Sequence, residues 1–216
     1  MLGTPQKTIT FTSVSKAKER IILGIDPGTV VMGFGVICIK GHRLHLVSAG
    51  VLKLHKKDDH HDRLKDIFET VVQLIEQHHP DELSIEEPFF GKNVQSMLKL
   101  GRAQGVAMAA ALSRQIPVFG YSPRLIKQSI TGKGAASKEQ VAAMLQRLLH
   151  FEQSPRYLDA TDAVGVALCH YFQSKVLVPD PGIPAAVKKQ GAKKSAKAYS
   201  GWSAFLNDHP GRIKGG

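Results

Sequence analysis

Cysteine is scarce in this sequence: 216 residues contain only Cys38 and Cys169. Both lie in apolar segments, which argues against a disulfide framework and is typical of a reducing compartment. Long apolar runs are also missing, since no stretch approaches the roughly 18 apolar residues that a membrane span needs. Residues 1–20 are polar and basic without an apolar core, so they do not resemble a signal peptide. We therefore expect a cytoplasmic protein.

Acidic residues are the second scarcity. There are 18 Asp and Glu against 29 Lys and Arg, which gives a net charge of +11. Such an excess favours a polyanionic partner, with nucleic acid ahead of a membrane surface. The residues from 179 onward contribute +5 and the rest of the chain +6. The basic character is therefore shared by the part of the chain that we expect to fold.

The apolar pattern predicts an α/β protein with a five-stranded mixed sheet flanked by helices. The predicted strands are 21–26, 33–40, 43–54, 82–86 and 117–120. The predicted helices are 61–78, 93–114, one that opens at Ser137 with a capping-box pattern, and 157–174. Residues 123–136 look less regular. We predict one domain over 21–176, between a flexible extension at 1–20 and a basic, disordered tail at 177–216 that is rich in Pro, Gly, Ala and Lys.

Asp26 is the most informative residue, because it ends a run of apolar residues and precedes Pro27-Gly28-Thr29. A continuous apolar run predicts a strand that is buried on both faces of a sheet. A carboxylate at the end of such a strand is costly to desolvate unless a cation meets it. In open α/β sheets, ligands bind at the carboxyl ends of the strands. Asp26 is therefore a candidate ligand for a bound cation.

Three further carboxylates can join Asp26. Glu86 ends the fourth predicted strand, so it emerges at the same sheet edge if the first and fourth strands are neighbours. Asp159 and Asp162 are three residues apart on the last predicted helix and share a face. That helix can pack close to the sheet because it is built from small residues: Ala160, Ala163, Gly165 and Ala167.

Four converging carboxylates would raise each other's pKa values unless cations were bound. Oxygen ligands suit Mg²⁺ or Mn²⁺, and two such ions about 3.5–4 Å apart cleave phosphodiesters. A basic protein with this cluster is a candidate nuclease. Taken singly, each acid also fits a structural role, Asp26 in a turn, Glu86 in solvent and Asp159 as a helix cap. Their joint placement favours the metal site.

The sequence resembles the RuvC family of Holliday junction resolvases, in the ribonuclease H-like superfamily. Four segments carry the resemblance, in order and with matching spacing, from about residue 21 to about residue 172. They are 22–29 (ILGIDPGT) with Gly33-Phe34-Gly35, then 85–93 (IEEPFFGKN), 98–107 (LKLGRAQGVA) and 159–164 (DATDAV). The first segment alone would be a weak signal, whereas four in register are specific.

The resemblance implies a homodimer that binds four-way junction DNA and makes paired, symmetric nicks in recombination and repair. The nicks would leave 5′-phosphate and 3′-hydroxyl ends, with two Mg²⁺ ions per subunit that Mn²⁺ can replace. It also implies the RuvA–RuvB branch-migration complex as a partner. The family's acidic tetrad falls on Asp26, Glu86, Asp159 and Asp162, with Asp26 bridging the metals. We choose Glu86 over its neighbour Glu87 from the strand phase and the motif.

The same resemblance suggests DNA contacts. Phe89 matches an aromatic residue that stacks on junction bases, an interaction worth about 1–3 kcal/mol per base. Lys127 and Lys138 match lysines near the scissile phosphate, and Arg124, Lys92 and Arg102 are further candidates for phosphate contact. Ordinary surface charge, or core packing for the aromatic residue, is the alternative in each case. Gly101, Gly105 and Ala109, four residues apart on one helix, either pack on the sheet or form the dimer interface.

Two other functions compete with the nuclease. The first is a non-catalytic module that recognises junction DNA by shape, with structural carboxylates. The second is an actin-like or sugar-kinase ATPase, because Asp-Pro-Gly-Thr followed by Gly-x-Gly also suits a phosphate-binding hairpin. Those ATPase folds duplicate their unit and need about twice this length, and the sequence offers no second phosphate loop.

Overall fold

The computed structural model describes residues 19–41, 43–55, 59–87, 93–151 and 158–177. These residues form five strands and five helices. The strands are β1 Arg20–Asp26, β2 Val31–Lys40, β3 Arg43–Lys53, β4 Glu82–Glu86 and β5 Val118–Tyr121. The helices are α1 His60–His78, α2 Val94–Ser113, α3 Pro123–Thr131, α4 Lys138–Leu149 and α5 Leu158–Leu177. Most of the predicted N-terminal extension and C-terminal tail lies outside the described residues, so the domain boundaries stay predictions.

The strands form one mixed sheet in the order β3-β2-β1-β4-β5, which confirms the predicted architecture. β1, β2 and β3 are antiparallel neighbours, whereas β1, β4 and β5 run parallel. β1 and β4 are in register, with Ile25 beside Ile85. The carboxyl ends of β1 and β4 therefore meet at one edge of the sheet, which brings Asp26 and Glu86 to the same place, as predicted.

Helices cover both faces of the sheet. One core contains Leu23 and Ile25 of β1 and the inner sides of α1 and α2. The other core contains Ile22 and packs against α3, α4 and α5. β1 is thus buried on both faces, which is why its sequence is a continuous apolar run rather than an alternating one.

Helix α3 corrects the prediction that residues 123–136 are irregular. The Ser122 side chain caps its start by accepting a hydrogen bond from the backbone N–H of Leu125 at 3.4 Å, and Pro123 occupies its first turn. The helix ends at Gly132, whose φ of 76° is a left-handed conformation that glycine adopts at little cost. Ser-Pro at the start and Gly at the end are ordinary helix boundaries, so the sequence did contain this signal. The capping box that opens α4 is confirmed.

The close approach of α5 to the sheet depends on glycine in the strands as well as on small residues in the helix. A Cβ at Gly24 of β1 would lie 2.2 Å from the carbonyl oxygen of Ala163. A Cβ at Gly33 of β2 would lie 2.2 Å from the carbonyl oxygen of Asp159. No side chain fits in these gaps, so glycine allows the first turns of α5 to reach the edge where β1 ends.

A polar network fixes the opposite end of α5. His170 lies 2.7 Å from a Glu82 carboxylate oxygen through Nε2 and 2.6 Å from the Tyr121 hydroxyl through Nδ1. Arg20 also donates to Glu82. Although burial by itself raises the pKa of Glu82, the hydrogen bonds from Arg20 and His170 hold that pKa below its usual value. The network therefore ties α5 to β1, β4 and β5.

Cys38 and Cys169 are both buried, and neither forms a disulfide. Among the helices of the described ranges, none is long and apolar enough to cross a membrane.

Candidate active site

A pocket of about 210 Å³ opens at the edge where β1 and β4 end. Three carboxylates and two lysines share it: Asp26, Glu86, Asp162, Lys127 and Lys138. Its apolar wall is formed by Pro123, Ile126 and Val141. The pocket thus combines elements from both halves of the chain, since the sheet supplies two acids and the helices supply the rest.

Asp26 is held in an environment that opposes its charge. Burial raises the pKa of this carboxyl from 3.8 to about 7, and the charges of Glu86 and Asp162 add to the effect. Lys138 acts in the opposite direction, and Asp159 makes a smaller contribution that raises the pKa. The end of a strand buried on both faces therefore carries an acid that is only partly ionised at neutral pH in the absence of a bound cation.

The pKa of Glu86 is raised in the same way. Burial raises its pKa to about 7, with a further increase from Asp162, while Lys138 and Lys127 lower it. Two neighbouring acids with pKa values raised by burial mark a candidate functional site.

Asp162 is partnered instead by Lys138. The lysine ammonium lies 2.7 Å from its carboxylate oxygen, and this hydrogen bond raises the pKa of the lysine. Lys138 occupies the first turn of α4, so α4 presents its ammonium to the carboxylates of β1 and α5. This contact between two distant segments was not part of the sequence prediction.

Asp159 and Glu87 lie outside the pocket lining. Asp159 is exposed at the start of α5, with its backbone against Gly33, and it acts on Asp26 only through its charge. Glu87 is exposed, which supports the choice of Glu86. The structure therefore brings three of the four predicted carboxylates together and leaves the fourth at the rim.

A second, larger hollow of about 810 Å³ adjoins the pocket and shares Lys127 and Pro123 with it. Arg124 and Lys133 complete its basic lining. Arg124 was a sequence candidate for DNA contact, whereas Lys133 was not, although it stands in the Gly132-Lys133-Gly134 turn. Phe89 and Lys92 lie outside the described residues.

The donor set fits a hard divalent cation, because it consists of carboxylate oxygens that repel one another. Within the described residues, however, no three acidic, His or Cys side chains surround one point closely enough to hold an ion as they stand. Metal binding would need Asp26 and Glu86 in their ionised form, and Lys138 competes with a cation for the Oδ2 atom of Asp162. The roles of the four acids as metal ligands stay predictions.

Comparison with known proteins identifies the family. The family model described as crossover junction endodeoxyribonuclease RuvC matches residues 22–170. The chain belongs to the RuvC family. RuvC of Cytophaga hutchinsonii is 55% identical over 92% of this chain and 90% of its own length. RuvC of Bacteroides fragilis is 51% identical over 93% of this chain and 100% of its own length.

Solved structures agree with this assignment. Thermus thermophilus RuvC, in a structure described as a complex with Holliday junction substrate, superposes with a TM-score of 0.69 at 32% identity, over 73% of this chain and 96% of that one. The yeast mitochondrial Holliday junction resolvase Ydc2 shares the fold at 15% identity, with a TM-score of 0.55 over 72% of this chain and 80% of its own. The predicted ribonuclease H-like fold is confirmed. The chain is a nuclease, namely a crossover junction endodeoxyribonuclease. The RuvC family depends on divalent metal ions.

Proposed function

We propose that this RuvC-family chain resolves Holliday junctions by Mg²⁺-dependent hydrolysis at Asp26, Glu86, Asp159 and Asp162. The observation that carries the proposal is the pocket in which three of these carboxylates meet and burial raises the pKa of two of them to about 7. Such a cluster is unfavourable on its own and becomes favourable with divalent cations. The relative solved with a Holliday junction supports four-way DNA as the substrate.

Two Mg²⁺ ions, when bound, would supply Lewis-acid stabilisation and an activated water for phosphodiester hydrolysis. Asp26, at the end of β1, feels the charge of each of the other three acids, which supports it as a shared metal ligand. Glu86 and Asp162 approach it from β4 and α5, and Asp159 can complete the set from the rim. These groups hold cations in their ionised form, so their raised pKa values predict that activity increases as the pH rises through 7.

We infer that Lys138 and Lys127 bind the phosphate that is cut. Both lysines line the carboxylate pocket, and the positive charge of each lowers the pKa of Glu86. We infer that Lys138 leaves Asp162 for a phosphate oxygen when cations occupy the acids. The products would be a 5′-phosphate and a 3′-hydroxyl.

Paired nicks need two sites, and α2 offers a surface for a homodimer. Val94, Leu98 and Leu112 are 66%, 52% and 58% exposed along one side of the helix. Gly101 and Gly105 lie on the same side, and a Cβ at either would meet open space. A two-fold interface can use such a self-complementary apolar stripe. The RuvA–RuvB partner remains a prediction from the family resemblance.

The test is cleavage of a synthetic four-way junction, end-labelled on each strand in turn, against a linear duplex of the same sequence. We expect symmetric nicks in the junction only, and only with Mg²⁺ or Mn²⁺. Glu86→Gln should abolish cleavage, whereas its neighbour Glu87→Gln, the matched control, should cleave normally. Tight junction binding by the wild type without cleavage would support the non-catalytic alternative instead.

A further inference from the structure

A second group of basic side chains flanks the loop that follows Asp26, on the side of the sheet covered by α1 and α2. His60 and Arg63 come from the first turn of α1, and Lys99 and Arg102 come from α2. We call these four residues the α1–α2 basic cluster. Three of them line a small cavity together with the loop. That lining consists of Gly28, Thr29, Leu54, His60, Arg63, Leu64, Ile67, Lys99 and Ala103.

The cluster has unused hydrogen-bonding capacity. The Nε2 atom of His60 and the Nε atom of Arg63 are both buried and have no hydrogen-bond partner within the part of the chain that the structure describes. Arg63 is bonded to the loop through another nitrogen, since its Nη1 donates a hydrogen bond to the carbonyl oxygen of Thr29 at 3.3 Å. The Nε–H of Arg63 is a donor in every state, and a buried donor without an acceptor costs roughly 1–3 kcal/mol, which an acceptor inside the cavity would relieve.

The charges of the cluster are also uncompensated. Among the described residues, no carboxylate forms an ion pair with Arg63, Lys99 or Arg102. The nearest capping acid, Asp59, bonds to the backbone of His60 and to the ring of His61 instead. Burial lowers the pKa of His60, and Arg102, Arg63, His61 and Lys99 lower it further. Cations from two helices are therefore close enough to repel one another.

The shape of the cluster limits its ligand. The cavity measures only about 10 Å³, which is room for about one water molecule. An anion must therefore lie over the cavity, where the exposed Lys99 and Arg102 can reach it. A phosphodiester backbone crossing the surface fits this requirement, because Lys and Arg bind its phosphates as an extended row of charges.

We propose that the α1–α2 basic cluster binds a backbone phosphate of the DNA strand on the side of the Asp26 loop opposite Lys127 and Lys138. Those two lysines belong to α3 and α4, which cover the other face of the sheet. The strand would thus be held on both sides of the bond that is cut. This inference rests on the proposed function, since it assumes that junction DNA crosses the carboxylate pocket.

The experiment measures junction binding without divalent metal as a function of salt, with every variant in the Asp26→Asn background. Removing one phosphate contact lowers the slope of log Kd against log salt by about 0.9. We therefore expect Lys99→Gln and Arg102→Gln each to reduce that slope by about one and to weaken binding severalfold near 0.15 M salt. The matched control is Arg43→Gln. It removes the same charge from an exposed residue at the start of β3, at the end of the sheet remote from Asp26.

The charge-preserving variants Lys99→Arg and Arg102→Lys separate phosphate binding from a structural role, because they should keep the wild-type slope. The Tm of Lys99→Gln should be unchanged or slightly higher than that of the parent, since the substitution removes a positive charge close to Arg63 and His60. If Lys99→Gln and Arg102→Gln match Arg43→Gln in slope and affinity, the cluster does not bind DNA. Cleavage of the junction by the chain without the Asp26 substitution tests the proposed function separately, so the two ideas can fail independently.

Discussion

Replacing Asp26 by Asn should stabilise the metal-free protein while it removes a proposed metal ligand. The wild-type carboxyl titrates at about 7 in the folded chain against 3.8 ordinarily. At pH 8 that difference lowers the free energy of unfolding by about 4 kcal/mol. Glu86 titrates in the same range, and Lys138 can move toward either acid, so part of the cost is relieved. We expect Asp26→Asn to gain about 1–3 kcal/mol, with roughly 2–4 °C in Tm for each kcal/mol.

The pH dependence of this gain follows from the direction of the shift. The unfolded chain loses the Asp26 proton from about pH 4, while the folded chain keeps it until about pH 7. The unfolded state therefore binds fewer protons across that interval, and the stability of the metal-free wild type falls as the pH rises through it. The advantage of the Asn variant should be small at pH 4.5, at roughly a quarter of its pH 8 value, and constant above about pH 7.5.

The assay is urea denaturation with EDTA at pH 4.5 and pH 8, with Glu87→Gln as an exposed control that should change little at either pH. Thermal unfolding at pH 8 with and without Mg²⁺ completes it, since the ion should raise the Tm of the wild type and leave Asp26→Asn unaffected. The reasoning is refuted if the Asn variant is less stable than the wild type at pH 8, or if its gain in stability is the same at both pH values. Either result would mean that the pKa of Asp26 is not raised in the folded chain.

Three further changes probe the fold and the site. Lys138→Gln should move the pH at which cleavage is half-maximal upward, because the lysine lowers the pKa of Asp26; a pH–rate profile that does not move would contradict this. Gly24→Ala should lower the free energy of unfolding, measured by urea denaturation, by about 3 kcal/mol or more, because the new Cβ would overlap the Ala163 carbonyl. His170→Ala should lower the free energy of unfolding by about 2–3 kcal/mol, equally with and without Mg²⁺, because it removes the partner of the half-buried Tyr121 hydroxyl and one of the hydrogen bonds of Glu82.

Much of the fold could be predicted from local pattern. The apolar run before Asp26 indicates a strand buried on both faces, and the sheet places it at the centre. The carboxylates at the ends of β1 and β4 follow from that strand and from the parallel pairing. Helix α3 was missed although Ser122-Pro123 and Gly132 mark its ends, because its nine residues are too few to show a clear apolar period.

The electrostatics of the site could not be read from the sequence. The contact between Lys138 and Asp162 joins residues 24 positions apart and depends on how α4 packs on α5. The position of Asp159 at the rim depends on the same packing, since periodicity places it on the same helix face as Asp162. The α1–α2 basic cluster likewise forms where two helices meet. The sequence suggested Arg102 as a phosphate contact, but it did not indicate that His60 and Arg63 of α1 lie beside Lys99 of α2.

The most direct test of the central claim is cleavage of a synthetic four-way junction by Asp26→Asn and the wild type, at equal junction occupancy in Mg²⁺. The proposed role of Asp26 as a metal ligand predicts that the wild type makes paired nicks and that the variant binds the junction at least as tightly but leaves it intact. Cleavage by Asp26→Asn at the wild-type rate would contradict the account, because the carboxylate at the end of β1 could not then hold the metal ions.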